Sequence, residues 1–168
     1  MANTTPTTNS LENYFLPFTA NKDFKKEPRL LDRGEGVYYW NHKGDQVIDA
    51  SSGLFCVPLG HGRKEIAEAV HQQLLTLDYA PSFQVSHLPA FTLAKKVANL
   101  LPGDLNNVFF TICGSTAIDS AIKMIQAYQH AIGQSQRVRF VSRERAYHGV
   151  NIGGTSLSGM IKNREVFT

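Results

Sequence analysis

The chain has 168 residues, 42% of them hydrophobic and 18% charged, the balance of a globular protein rather than a disordered or collagen-like one. Its formal net charge of +3 comes from scattered Lys and Arg with no basic run, which gives no support to nucleic-acid or membrane-surface binding. Cys56 and Cys113 form no C-x-x-C pair, and the sequence holds neither a run of about 18 apolar residues nor a signal-like apolar segment, so a reduced, soluble, cytoplasmic protein is expected.

Residues 1–10 are polar and turn-rich and read as a disordered tail. Tyr14, Phe15, Leu16, Pro17 and Phe18 then form a cluster too apolar to be left in water, packed on its own domain or elsewhere. Residues 19–35 carry most of the early charge and read as a solvated connection. Two apolar runs, Val37–Trp40 and Gln46–Asp49, flank Asn41–Asp45 with Lys43-Gly44-Asp45 at the tip, which predicts a β-hairpin. Residues 51–63 hold three glycines and a proline and predict an irregular loop. His61 sits there between two glycines without a second ligand at metal spacing, so it reads as a turn residue and no metal site is expected.

Apolar residues at helical spacing predict a helix over Lys64–Leu77, with Ile66, Ala69, Val70, Leu74 and Leu77 on one face. A second helix is expected over Pro89–Leu101, stopped by Pro102-Gly103, after a loop over Tyr79–His87. Next comes the stretch Val108–Lys123. Val108, Phe109, Phe110 and Ile112 suit a buried strand, Gly114 a tight turn, and Ile118, Ala121, Ile122 and Ile125 a helix stripe running to a stop at Gly133. Ser115 or Thr116 is expected to cap this helix, Thr116 pairing with Asp119 in a capping box. With Val138–Ser142 as the next strand, the order is a βαβ unit of a parallel sheet. Such a turn aims free N–H groups and a helix dipole at one spot, which suits a phosphate, although any capped helix of an α/β protein begins the same way. Neither G-x-G-x-x-G nor a Walker-type G-K-[ST] is present. Tyr147-His148-Gly149 follows the second strand, where ligand sites of α/β sheets lie, and Gly153-Gly154 and Ser158-Gly159 read as a flexible loop.

Four segments together, YFLPFTANKDFKK, DASSGLFCVPLGHGRKEIAEAV, FFTICGSTAIDSAIK and RERAYHGVNIGGTSLSG, resemble the class III pyridoxal-phosphate (PLP) aminotransferases. The set is most similar to the β-alanine (ω-amino acid)–pyruvate branch and runs in the expected order from about Leu11 onward. The resemblance implies an α/β fold of PLP fold type I, incomplete here. Residues 11–63 would be an N-terminal segment with the hairpin, part of the small domain, and 64–168 the start of the large PLP-binding domain. It also implies that Cys113, Gly114 and Ser115 hold the cofactor phosphate, that Tyr147 stacks on the pyridine ring with His148 beside it, and that Phe18 and Phe55 line the substrate pocket, Phe15 less securely. Many relatives carry Trp at the position of Phe55, so the pocket would be reshaped here. The implied protein is a homodimer with its site at the subunit interface, moving an amino group from β-alanine or another ω-amino acid or amine to pyruvate.

The sequence departs from the family in places. The usual Ser-Gly-Ser-Glu turn reads Cys113-Gly114-Ser115-Thr116, which keeps the backbone donors and removes a carboxylate. Transamination also needs a lysine that bonds the cofactor aldehyde and moves the substrate α-proton, together with a carboxylate on the pyridine nitrogen. In the family the Schiff-base lysine, that Asp and a substrate-binding Arg all lie further along than these 168 residues. The chain by itself is therefore expected not to transaminate and to fold poorly, with apolar sheet edges uncovered. A truncated non-catalytic remnant, or a phosphate- or PLP-binding piece, is the competing reading.

Overall fold

A computed structural model describes residues 11–167; the tail expected over residues 1–10 lies outside them. The described residues fall into two compact units that meet between Ser86 and His87, and each is taken by itself.

In the first unit a short helix, α1 (Asn21–Lys26), precedes a three-stranded antiparallel sheet of β1 (Leu31–Glu35), β2 (Tyr38–Asn41) and β3 (Gln46–Ile48), in that order. The predicted hairpin is β2–β3, with Tyr38 opposite Ile48 and Trp40 opposite Gln46. Its tip forms because Gly44 takes the left-handed conformation (φ +89°) and the Asn41 side chain accepts from the amides of Lys43 and Asp45. The segment read as a solvated connection instead supplies α1 and β1. Leu31-Asp32-Arg33-Gly34-Glu35 lacks a two-residue apolar alternation, and what makes it a strand is the ladder to β2, with Arg33 stacked 3.7 Å over the Trp40 ring. The loop over 51–63 contains one brief turn, α2 (Ser52–Phe55), and returns to the sheet where Gly36 and His61 exchange both backbone hydrogen bonds. The helix α3 (Lys64–Thr76) closes the unit over the predicted range.

The second unit opens with α4 (Leu88–Ala98), entered through Pro89, and continues to α5 (Gly114–Ala131), which stops at Gly133 with φ +78° as expected. Two further helices occupy residues read as flexible loop and beyond, α6 (Ile152–Leu157) and α7 (Ile161–Phe167), with α6 packed on both α5 and α7. Gly153 and Gly154 are therefore not breakers. A Cβ on Gly153 would stand 2.8 Å from the Asp119 carboxylate, and one on Gly154 would run into the His148 carbonyl, so small residues let α6 lie against its neighbours. The segments predicted as parallel strands, 108–112 and 138–142, carry no ladder among the described residues. Ile112 is 93% exposed and Val141 97%, so neither has the neighbours that make an apolar run a sheet interior.

No apolar side chain of the described residues is buried. Helix stripes and apolar segments are thus left uncovered among the described residues.

Candidate functional site

The α5 N-terminus presents backbone N–H groups with no partner inside the helix. Cys113 is the N-cap in fully extended conformation (φ −164°, ψ 166°), and the helical ladder begins with Ala117 N–H donating to the Cys113 carbonyl at 3.0 Å. The amides of Gly114, Ser115 and Thr116 stand ahead of that first bond, at the positive end of an 18-residue helix. Nothing lies within 4 Å of a Cβ placed on Gly114, so a ligand oxygen can approach the backbone there.

The predicted capping box does not form. No side chain caps α5, and Thr116 Oγ1 lies 3.3 Å from Cys113 Sγ. Ser115 and Asp119, one helical turn apart, reach across to a later segment instead. Ser115 Oγ accepts from Val150 N–H at 3.0 Å, and Asp119 Oδ1 accepts from Gly154 N–H at 3.0 Å. These two bonds fasten the segment that carries Tyr147 and His148 to the mouth of α5. The same segment is held from behind, because Ser158 Oγ accepts from His148 N–H at 3.1 Å and donates to the Gly154 carbonyl at 2.8 Å. Gly149, with φ +109°, makes the close approach possible: a Cβ there would sit 2.7 Å from Ser115 Cα. Cys113, Gly114 and Ser115 are thus brought to the loop of Tyr147 and His148, and the Tyr147 ring is exposed.

The Cys113 thiol is held below its ordinary value of 9.0, chiefly by the Thr116 hydroxyl 3.3 Å away.

Phe18 and Phe55 belong to the first unit, on separate turns, 81% and 85% exposed. Both take left-handed backbone conformations, with φ +50° and +68°. Among the described residues only five non-glycine residues do so, and such strain collects at functional sites. The turn that carries Phe55 is held by a group that spacing did not reveal. The Asp49 side chain, 5% exposed, accepts from Gly53 N–H at 2.7 Å and from the Ser51 amide and hydroxyl at 3.3 and 3.2 Å, and stands 2.8 Å from His61 Nε2. Its carboxyl is held below the ordinary range, chiefly by the Gly53 amide. An ionised carboxylate only accepts, so His61 Nε2 is the donor in that bond. The Tyr39 ring lies 4.2 Å from that imidazole, its phenol pushed up by burial and then by the Asp49 charge. His61 is the turn residue expected, with this buried partner added. The sequence signal was a lone Asp and a His between glycines twelve residues apart, which no motif flags.

A hollow of about 550 Å³ in the first unit is lined by Val57, Pro58, His61, Arg63 and Ile66. It is open to solvent. No group of three metal-binding side chains occurs among the described residues, and no helix there is long and apolar enough to cross a membrane.

The family profile described as aminotransferase class-III matches residues 19–167. The β-alanine–pyruvate aminotransferase of Pseudomonas aeruginosa is 49% identical over 158 residues, 94% of this chain and 35% of that protein. The ω-amino acid–pyruvate aminotransferase of Pseudomonas putida is 48% identical over 157 residues, with the same two shares. Among solved structures, an (S)-enantioselective ω-transaminase from Thermomicrobium roseum superposes with a TM-score of 0.90 at 34% identity, over 96% of this chain and 37% of that one. An ω-transaminase from Pseudomonas jessenii in complex with PMP gives 0.92 at 31% identity, over 98% and 37%. The chain spans about a third of the length of the curated relatives it matches.

Proposed function

The chain belongs to the class III aminotransferase family, and on that premise we propose that its protein is a PLP-dependent ω-amino acid–pyruvate aminotransferase. The amino group moves from β-alanine or another ω-amino acid or amine to pyruvate, the pairing carried in the names of the two Pseudomonas relatives. The observation that carries the reading is the α5 mouth, with three leading amides and a loop fastened over it at Ser115 and Asp119.

In this reading the amides of Gly114, Ser115 and Thr116 hold the cofactor phosphate, and Cys113 contributes its place in the backbone rather than its thiol. Tyr147 covers the ring face, and His148, tied through its backbone to Ser158, sets the height of that loop. When bound, PLP supplies an aldehyde that takes up the amino group and a ring that accepts electrons from the substrate carbon. Phe18 and Phe55 shape the mouth through which the donor enters. No lysine of this chain is assigned the imine-forming role: Lys123, nine residues past Gly114 on α5, stands about 13 Å along the axis from the phosphate turn. The active protein is a cytoplasmic homodimer, in keeping with two free thiols at Cys56 and Cys113. Thr116, where the family has Glu, leaves the backbone donors intact and so is compatible with cofactor binding.

The test is a pair of measurements on the native protein. PLP binding and β-alanine-dependent conversion of pyruvate to alanine are both expected. PLP binding without turnover of any amine would favour the non-catalytic PLP-binding reading, and no PLP binding would remove the proposal.

A further inference from the structure

Two side chains of the first unit hold the two phenylalanines in place. Around Phe18, the Asn21 side chain closes the turn from both ends: its oxygen accepts from Leu16 N–H at 2.8 Å, and its amide donates to the carbonyls of Leu16 and Thr19, each at 2.9 Å. Around Phe55 the clamp is Asp49. Ser52, Gly53, Leu54 and Phe55 run with φ of +51°, +58°, +57° and +68°, one turn of left-handed helix, closed by Phe55 N–H donating to Ser51 and Val57 N–H to Ser52. Three of those four residues are not glycine, so the chain does not choose this conformation unaided. The Asp49 carboxylate grips the turn at Gly53 and Ser51, and His61, itself pinned through its backbone to Gly36, fixes the carboxylate from behind.

We propose that Asn21 and Asp49 are positioning residues that set amine selectivity, each holding one phenylalanine of the donor entrance in a left-handed turn. This rests on the aminotransferase reading above for its chemistry, though not for the clamp itself. A side chain held this way presents one fixed face to the incoming amine, whereas a relaxed turn would let the ring swing and admit bulkier donors.

The experiment uses the native PLP-loaded protein with Asp49→Ala, Asp49→Asn and Asn21→Ala, and Phe55→Ala as reference. Hydrogen exchange of the Gly53, Phe55 and Val57 amides is expected to quicken about tenfold or more in the Asp49 variants, the scale of losing one charge-assisted hydrogen bond. The ratio of KM for a bulky arylalkyl amine to KM for β-alanine should shift at least about threefold, in the direction that Phe55→Ala shifts it. PLP occupancy and kcat should stay within about twofold, because the α5 mouth is untouched. Unchanged exchange at 53–57 overturns the clamp, and an unchanged KM ratio where Phe55→Ala moves it overturns the selectivity role. Should Asp49→Ala fail to fold, Asp49→Asn, close in shape but uncharged, gives the same readouts. A wild-type protein that turns over no amine would count against the aminotransferase reading, and the exchange rates would still decide the clamp.

Discussion

Replacing Gly149 by Ala strikes the contact that closes the loop onto α5. The backbone there has φ +109°, a region open to glycine and strained for alanine by about 1–3 kcal/mol. The added Cβ would meet Ser115 Cα at 2.7 Å and its Cβ at 2.9 Å. Neither atom is the end of a flexible side chain, so rotation cannot relieve the overlap. Ordinary contact begins near 3.4 Å, so loop and helix must part by roughly 1 Å, at the usual overpacking cost of about 1–3 kcal/mol. Such a shift also breaks the 3.0 Å bond from Val150 N–H to Ser115 Oγ. Together these amount to about 2–6 kcal/mol against the closed loop. If the loop helps hold the cofactor, PLP affinity measured by absorbance titration should fall at least tenfold, and the exchange of the Val150 amide should rise. Wild-type PLP affinity and an unchanged Val150 amide in Gly149→Ala would refute this account of the loop.

Three further outcomes follow from the same geometry. Asp119→Ala removes the acceptor of the buried Gly154's N–H, and the loss of a hydrogen bond to a charged group, about 1.5–3 kcal/mol, should appear as an about tenfold or greater rise in Gly154 amide exchange. Cys113 should be alkylated by iodoacetamide with a half-maximal rate below pH 9.0; Thr116→Val should move that midpoint up, and PLP or inorganic phosphate should protect the thiol. The Asp49 carboxyl is lowered in the folded state, so its contribution is complete above the unfolded value near 3.8 and lost as pH falls below it. Protection of the Gly53 amide should therefore hold at pH 5–7 and drop below about pH 3.8, and Asp49→Asn should abolish that step.

Much of the fold could be read from local pattern. The helices α3, α4 and α5 announce themselves by apolar spacing, and α5 ends where Gly133 alone adopts the closing conformation. The hairpin follows from Lys43-Gly44-Asp45. What escaped was specified by distant partners. The strand β1 exists through its ladder to β2, and α6 tolerates two glycines because Asp119 and the His148 carbonyl leave no room for side chains. Segments 108–112 and 138–142 have the composition of strands, yet composition supplies no ladder partner. At the candidate site, the start of α5 at Gly114 was legible from the glycine and the apolar stripe after it. The use of Ser115 and Asp119 was not, since both look like local caps and act on residues 35 positions away. Asp49 was hidden for the same reason, its role depending on the return of His61 to the sheet.

The central claim is that the first three amides of α5 receive the cofactor phosphate. It is tested most directly by following the Gly114, Ser115 and Thr116 amide resonances of the native protein while adding PLP, inorganic phosphate or pyridoxal, which lacks the phosphate. PLP and phosphate should each move these three signals downfield to saturation, and pyridoxal should leave them in place. Saturable PLP binding that leaves all three amides unmoved would contradict the claim.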